Sequence, residues 1–186
     1  MTHLYDVFHK YDGDKEKECP EIIAASPLAC RLSDLFDTEI SKEEDREKWE
    51  AVKNWSKIVF VRDFETLDTL LKQMKPRVYV ASGGMIQAGP STAIAKFLLP
   101  KSNNMILFCG FMAENTLGCK IKEKKTKTVT IDGCQIKARC NVMSLNSFSS
   151  HITHDDMLWY YSSFCFDKIC LVHGDMDDKI LFAREL

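Results

Sequence analysis

Four short apolar runs, the first three each followed by helical spacing, set the tightest constraint on how this 186-residue chain folds. They are EIIAA (21–25), KIVFV (57–61), RVYVAS (77–82) and NNMILFCGF (103–111). A strand with one face in water alternates apolar and polar residues, whereas a strand covered on both faces is apolar nearly throughout. All four runs are of the second kind. After EIIAA, Ser26 is placed to cap a helix with Pro27 at its first position. After KIVFV, Asp63 precedes apolar residues 64, 67, 70, 71 and 74 at helical spacing. RVYVAS leads into GGMIQAGPSTAIAKFLLP, a Gly-rich turn entering a helix. This alternation predicts an α/β fold with a mostly parallel sheet and helices on both faces.

The remainder differs in style. Residues 1–20 are polar and charged and read as a lead-in without strand signal. SKEEDREKWEAVKNW (41–55) reads as a solvated helix, with Glu44 and Lys48 as an i,i+4 pair. KTVTIDGCQIKARCNVMSL alternates with period two around Asp132-Gly133, which predicts a hairpin. The closing unit reads as a helix over 155–164, a strand over 168–172 and a helix over 177–186, with no C-cap signal, so both ends of the chain read as cut.

Composition narrows the function classes. At 45% hydrophobic the chain has enough apolar material for one core. A formal charge of −2 gives no global basic field, although a local basic groove can sit on a neutral protein. The eight cysteines contain no CxxC pair, and their closest spacings are five and six residues. They read as small buried hydrophobes of a reducing cytosol, not as a zinc ribbon. No signal-peptide pattern follows Met1 and no apolar stretch approaches membrane-spanning length, so the expected location is intracellular, cytoplasmic or nuclear.

Three stretches are candidates for chemistry. In VASGGMIQAGPS the residues Ser82, Gly83 and Gly84 lie between a strand and a helix start. Such a loop either lets backbone N–H groups approach a phosphate or is simply a tight connection; it is neither a Walker loop nor GxGxxG. In GFMAENTLGCKIKEKKTK, five lysines between 120 and 127, Lys120 and Lys122 among them, follow a Gly-flanked loop that holds Glu114. That cluster fits either a nucleic-acid backbone or a solvated arm. Lys96 and Lys101 complement the C-terminal end of their helix.

The histidines are the third candidate. His151 ends a strand-like run in SFSSH, with Asp155 and Asp156 in the helix turn that follows. His173 ends KICLV, just before Gly174-Asp175. Ligands of α/β sheets gather beyond the carboxyl ends of strands, which makes these positions pointed. His154 reads as solvent-exposed. Two histidines do not make a catalytic zinc site, and HxH, HxxxH and HExxH are all absent.

From about residue 21 onward, these stretches taken together resemble the β-CASP nucleases of the metallo-β-lactamase superfamily. That family includes the cleavage-and-polyadenylation endonuclease and ribonuclease J. IIAASPLACRLSDLF is similar to the opening strand and helix of the β-CASP insert. VYVASGGMIQAGPSTAIAKFL is similar to its Ser-Gly-Met loop, and NNMILFCGFMAENTLGCKI to its Gly-(x)3-Glu-x-Thr-Leu-Gly stretch. SFSSHITHDDMLWYY resembles motif B and ICLVHGD motif C, and all five come in the family's order and spacing.

The resemblance implies a mostly parallel, Rossmann-like β-CASP sheet with helices on both faces, followed by a partial metallo-β-lactamase βα segment. The expected division is a β-CASP domain over 1–118, with 1–20 as lead-in, and a returning metallo-β-lactamase segment over 119–186. By position His151 takes the motif B role over the scissile phosphate, and His173 is the motif C ligand of one of two zinc ions. By the same resemblance, Ser82, Gly83 and Gly84 fall where the family's insert faces the RNA cleft. The departures are Ile152 and Thr153 where the family has Ala and Asp, and the absence of His-x-His-x-Asp-His and of motif A. The implied function is part of a zinc-dependent RNA-processing nuclease. The remaining ligands would come from a second chain or an N-terminal region, and this chain alone would be inactive. The alternative is a non-catalytic RNA-binding scaffold that has lost the metal core.

Overall fold

The computed structural model describes residues 2–10, 19–40, 42–123, 127–145 and 151–186, and the chain divides into two compact units, 1–147 and 148–186. In chain order the first unit holds α1 (Thr2–Lys10), β1 (Glu21–Ala25), α2 (Pro27–Glu39), α3 (Glu43–Lys53), β2 (Ile58–Val61), α4 (Phe64–Lys72), β3 (Arg77–Ala81), α5 (Pro90–Leu98), β4 (Met105–Phe108), α6 (Leu117–Lys122), β5 (Thr128–Ile131), β6 (Cys134–Lys137) and β7 (Asn141–Ser144).

β1 lies between β2 and β3 in a parallel three-stranded sheet. Because successive side chains of a strand point to opposite faces, β1 feeds two cores. Ile22 packs with Val52, Trp55 and Ile58 on one face. Ile23 and Ala25 pack with Val61, Leu67, Leu71 and Ile94 on the other. Helices therefore cover both faces, α1 and α3 on one and α4 and α5 on the other, as the continuous apolar runs predict. Ile22, Ile23 and Val52 are fully buried, and each such side chain is worth roughly 1.5–3 kcal/mol of transfer free energy. At the other end of the unit, β5 and β6 form the predicted hairpin, with Ile131 opposite Cys134. Asp132 (φ 48°) and Gly133 (φ 75°) are both left-handed, as a type I′ turn requires. Val129, Ile131 and Ile136 turn inward against Leu99, Phe108 and Ile121 in a third core.

Several expectations are corrected. The segment read as a polar lead-in contains α1, because Leu4, Tyr5 and Phe8 make a one-sided apolar stripe among charges. Tyr5 stands edge-on to Trp55 with ring centroids 5.4 Å apart. Lys48, paired by spacing with Glu44, instead brings Nζ to 2.9 Å from Asp6 Oδ2 of α1. The run 103–111 supplies only the four residues of β4, which pairs with β7 in a separate parallel sheet. Met105 and Leu107 are exposed there, because only the face carrying Phe108 is covered. β3 is half-buried rather than buried, with Val80 exposed, since it stands at the edge of its sheet.

Of the eight cysteines, Cys19, Cys30 and Cys140 are buried. Cys119 is partly so, and Cys109, Cys134, Cys165 and Cys170 are exposed. Apolar neighbours in sequence do not bury a thiol when only one side of the backbone is covered. Lys101, read as a dipole partner, places Nζ 4.1 Å over the Phe97 ring, and Lys96 Nζ lies 3.6 Å from Asp132 Oδ2.

The second unit contains α7 (His154–Ser162) and α8 (Met176–Glu185). Residues 168–172, expected as a strand, are irregular. A strand needs a neighbour's N–H and C=O groups, and among the described residues none pairs with this run. Phe182 of α8 is buried here, with the rings of His154 and Tyr161 at 5.7 and 6.5 Å. Among the described residues no helix is long and apolar enough to cross a membrane.

Candidate nucleic-acid interface

Parallel pairing places the residues that follow β1 and β3 side by side. Ser26 Oγ donates to Ser82 Oγ at 2.9 Å. The same Ser26 oxygen accepts from Ala29 N at 3.1 Å and so caps α2. Beyond β2 at the same edge, Arg62 holds Asp34 with two bonds of 2.7 Å. The guanidinium hydrogen bond keeps the Asp34 carboxyl below the usual carboxylate range.

The connection from Ser82 to α5 turns tightly, with Gly83 (φ 78°), Ile86 (φ 54°) and Gly89 (φ 78°) all left-handed. Ile86 N donates to Gly83 O at 2.9 Å. A β-branched residue disfavours this conformation; Ile86 is held in it by burial of its side chain in the third core. Ser91, in the first turn of α5, donates to Gly83 O at 2.7 Å. Next to it, the Thr92 hydroxyl is buried without a hydrogen-bond partner among the described residues. Ser82, Gly83 and Gly84 remain exposed.

A second loop docks on this one. Asn115 is left-handed (φ 64°), and Thr116 caps α6, accepting from Cys119 N at 3.2 Å and donating to Ala113 O at 2.7 Å. This brings Gly118 against the first loop, where its N–H donates to Met85 O at 2.8 Å. A Cβ at Gly118 would stand 2.9 Å from Gly84 O and 2.8 Å from Met112 Sδ. The Ser82–Gly84 loop and the amino end of α6 are thus one docked assembly, from whose last turn Lys120 projects exposed while Lys122 is half-buried. Glu114 is exposed beside them; residues 124–126, two of the five lysines among them, lie outside the described residues.

In the second unit His151 is exposed, just ahead of α7. Thr153 caps that helix, its Oγ1 accepting from Asp156 N at 3.2 Å and donating to Asp156 Oδ2 at 2.6 Å. His173 (φ 66°) and Gly174 (φ 104°) form a left-handed reversal into α8, with the His173 ring exposed. His154, read as solvent-exposed, is half in solvent but has a structural place, with Nε2 3.4 Å from Glu185 Oε2 and its ring against Phe182. Among the described residues no three His, Cys, Asp or Glu stand together as a metal site.

The Beta-Casp domain model matches residues 1–121, and the model for the Zn-dependent metallo-hydrolase RNA specificity domain matches residues 135–186. The chain belongs to the β-CASP family of the metallo-β-lactamase superfamily. Among curated β-CASP relatives, it is 32% identical to the transcription termination factor FttA of Methanocaldococcus jannaschii over 59% of this chain and 18% of that protein. It is 29% identical to the endoribonuclease ysh1 of Schizosaccharomyces pombe over 83% of this chain and 20% of that protein. With the Saccharomyces cerevisiae endoribonuclease YSH1 it shares 26% over the same 83% and 20%. The chain spans about a fifth of the length of these relatives.

Within this β-CASP chain, sequence spacing marked the two loops but missed the residues that join them. Ser26 was legible as a helix cap, not as a partner of Ser82. Gly118 was legible as part of a motif, not as the point where two backbones meet. A serine directly after each of two adjacent strands was the signal available for the first; nothing local signals the second.

Proposed function

We propose that this chain is the nucleic-acid-facing part of an RNA-processing nuclease that hydrolyses phosphodiesters with zinc. Its β-CASP portion would be residues 1–118 and its returning metallo-β-lactamase segment residues 119–186. The observation that supports this most is the docking of the Ser82–Gly84 loop onto α6, in a family whose second matching model is described as an RNA specificity domain. Exposed glycine backbone and Lys120 and Lys122 would contact RNA phosphates there, because a bare backbone allows close approach and the lysines supply counter-charge. His151 would stabilise or protonate the leaving oxygen at the scissile phosphate.

His173 would be one zinc ligand. A catalytic zinc site needs about three protein ligands and a water, and the described residues bring no such group together. The other ligands would therefore come from a second chain or from an N-terminal region of a longer protein, in an intracellular RNA-processing setting. The 186 residues alone would not cleave. In the nuclease carrying those ligands, His151→Ala is expected to slow cleavage of labelled RNA by about 10²-fold or more, and His173→Ala to lower zinc content as well as rate. Unchanged rates in both variants would overturn the assignment.

One observation favours a second reading, a non-catalytic RNA-binding scaffold. The family's Asp after the motif B histidine is Thr153 here, and its single hydroxyl proton goes to Asp156. RNA binding without cleavage in the zinc-loaded nuclease would select this reading.

A further inference from the structure

Charge is segregated along this chain. Residues 96–139 hold nine basic and three acidic residues, a net of +6 in a chain whose total is −2. Part of that excess lines a shallow groove between the end of α5 and the β5–β6 hairpin, which shares no lining residue with the two docked loops. Its walls include Lys96, Pro100, Gln135, Ile136, Lys137 and Arg139.

Backbone geometry fixes which groups face out. Ile136 is buried opposite Val129, so period two turns Gln135 and Lys137 to the other face, across from Thr130 and Thr128. Gln135 Nε2 donates to Thr130 Oγ1 at 2.9 Å. A type I′ turn and an inward apolar set leave this register no alternative, since a one-residue slip would expose Val129, Ile131 and Ile136. Arg139 N and Cys140 N both donate to Leu99 O, at 2.8 and 3.1 Å, which anchors the strand exit to the end of α5. The cations therefore ride on a rigid backbone.

Among the described residues, the Lys137 and Arg139 charges of this face have no acidic partner. Elsewhere Lys53, Arg62, Lys72 and Arg77 each hold a carboxylate. At the groove wall Lys96 Nζ lies 3.6 Å from Asp132 Oδ2. The groove's lining carries three cations and the Gln135 amide beside Pro100, Cys134 and Ile136, and no aromatic side chain. A protein partner would need large apolar or aromatic anchors at the centre of its interface. Phosphates and ribose hydroxyls need what is present.

We infer that this groove is a second track for RNA, binding the sugar–phosphate backbone through Lys137 and Arg139, with Lys96 and Gln135 at its wall. The inference rests on the proposed RNA-processing role. It assigns no base preference, because phosphate contacts position a strand without reading it.

The test is fluorescence anisotropy of the full 186-residue chain with labelled oligouridine across a salt series. Each single-strand phosphate contact contributes about −0.7 to the slope of log K against log salt. The pair Lys137→Ala with Arg139→Ala should weaken binding about tenfold at low salt and flatten the slope by about 1.4. The charge-preserving pair Lys137→Arg with Arg139→Lys should keep the wild-type slope. If the alanine pair leaves affinity and slope unchanged while wild type binds, the groove is not an RNA track and the broader role stands. If the charge-preserving pair loses as much as the alanine pair, the electrostatic basis is overturned. If wild type binds no RNA, the broader role fails and this inference with it.

Discussion

The carbonyl oxygen of Gly84 stands 2.9 Å from where a Cβ on Gly118 would lie, while the N–H of Gly118 reaches Met85 O at 2.8 Å. Two loops that carry the candidate RNA contacts thus meet backbone to backbone, at a point that only a glycine fits.

Gly118→Ala should therefore cost about 1–3 kcal/mol, the range for overpacking a tight contact. Met112 Sδ is the flexible end of a side chain, but Gly84 O and Met85 C, the latter 3.1 Å away, are backbone and cannot turn aside. Gly84→Ala is the comparison, since its Cβ would meet only Met112 Cε at 3.3 Å. Urea unfolding should show a lower midpoint for Gly118→Ala than for Gly84→Ala. Equal midpoints would mean the loops part easily.

Acid should weaken the first unit through Glu21. Its carboxylate accepts from Arg77 Nε at 2.7 Å, and this hydrogen bond, against some desolvation, holds its pKa below the ordinary 4.5. A carboxyl whose folded pKa is depressed adds stability that is complete above its unfolded value and is lost as pH falls through the folded one. Stability should thus decline below about pH 4.5, and Glu21→Gln should flatten that limb. The Arg77 side chain is almost fully buried and also donates to Leu70 O at 2.7 Å and to Gln73 Oε1 at 2.6 Å, so it stays hydrogen-bonded in the variant. Thermal melts between pH 3 and 7 check this. An identical acid limb in the variant would sink it.

Thr92→Val should stabilise the protein by about 1 kcal/mol, because burying an unpartnered hydroxyl costs about that much or more. Valine keeps the shape and removes the orphan oxygen. The expected signature is a higher urea midpoint with unchanged slope. A lower midpoint would show that the hydroxyl has a partner in solution.

Local signals were legible where one short stretch holds the whole cause. Ser26-Pro27 opens α2, Asp63 caps α4 through Thr66 N at 2.7 Å, and Asp132-Gly133 makes the hairpin. The parallel sheet was legible because EIIAA must be covered twice. α1 was hidden, since three apolar residues among many charges matter only once Trp55 is known to be waiting. The run 168–172 looked like a strand because apolar content marks what is to be covered, not what covers it. The Ser26–Ser82 and Gly84–Gly118 contacts join residues far apart in sequence, where periodicity carries no information. The roles of His151 and His173 rest on resemblance, and the fold gives only their places in turns beside α7 and α8.

The sheet order β2-β1-β3 has a consequence for how the protein is made. The central strand is synthesised before either of its neighbours, and Ile22 pairs with Ile58 and Val78, 36 and 56 residues later. Until residue 81 leaves the ribosome, Ile22 and Ile23 belong to an apolar strand with at least one open edge. Loop closure must precede any gain from such non-local pairing, so nucleation is slow and the nascent segment is open to misassociation. Mutations that slow β3 pairing would therefore first appear as lost yield, ahead of any change in the finished molecule.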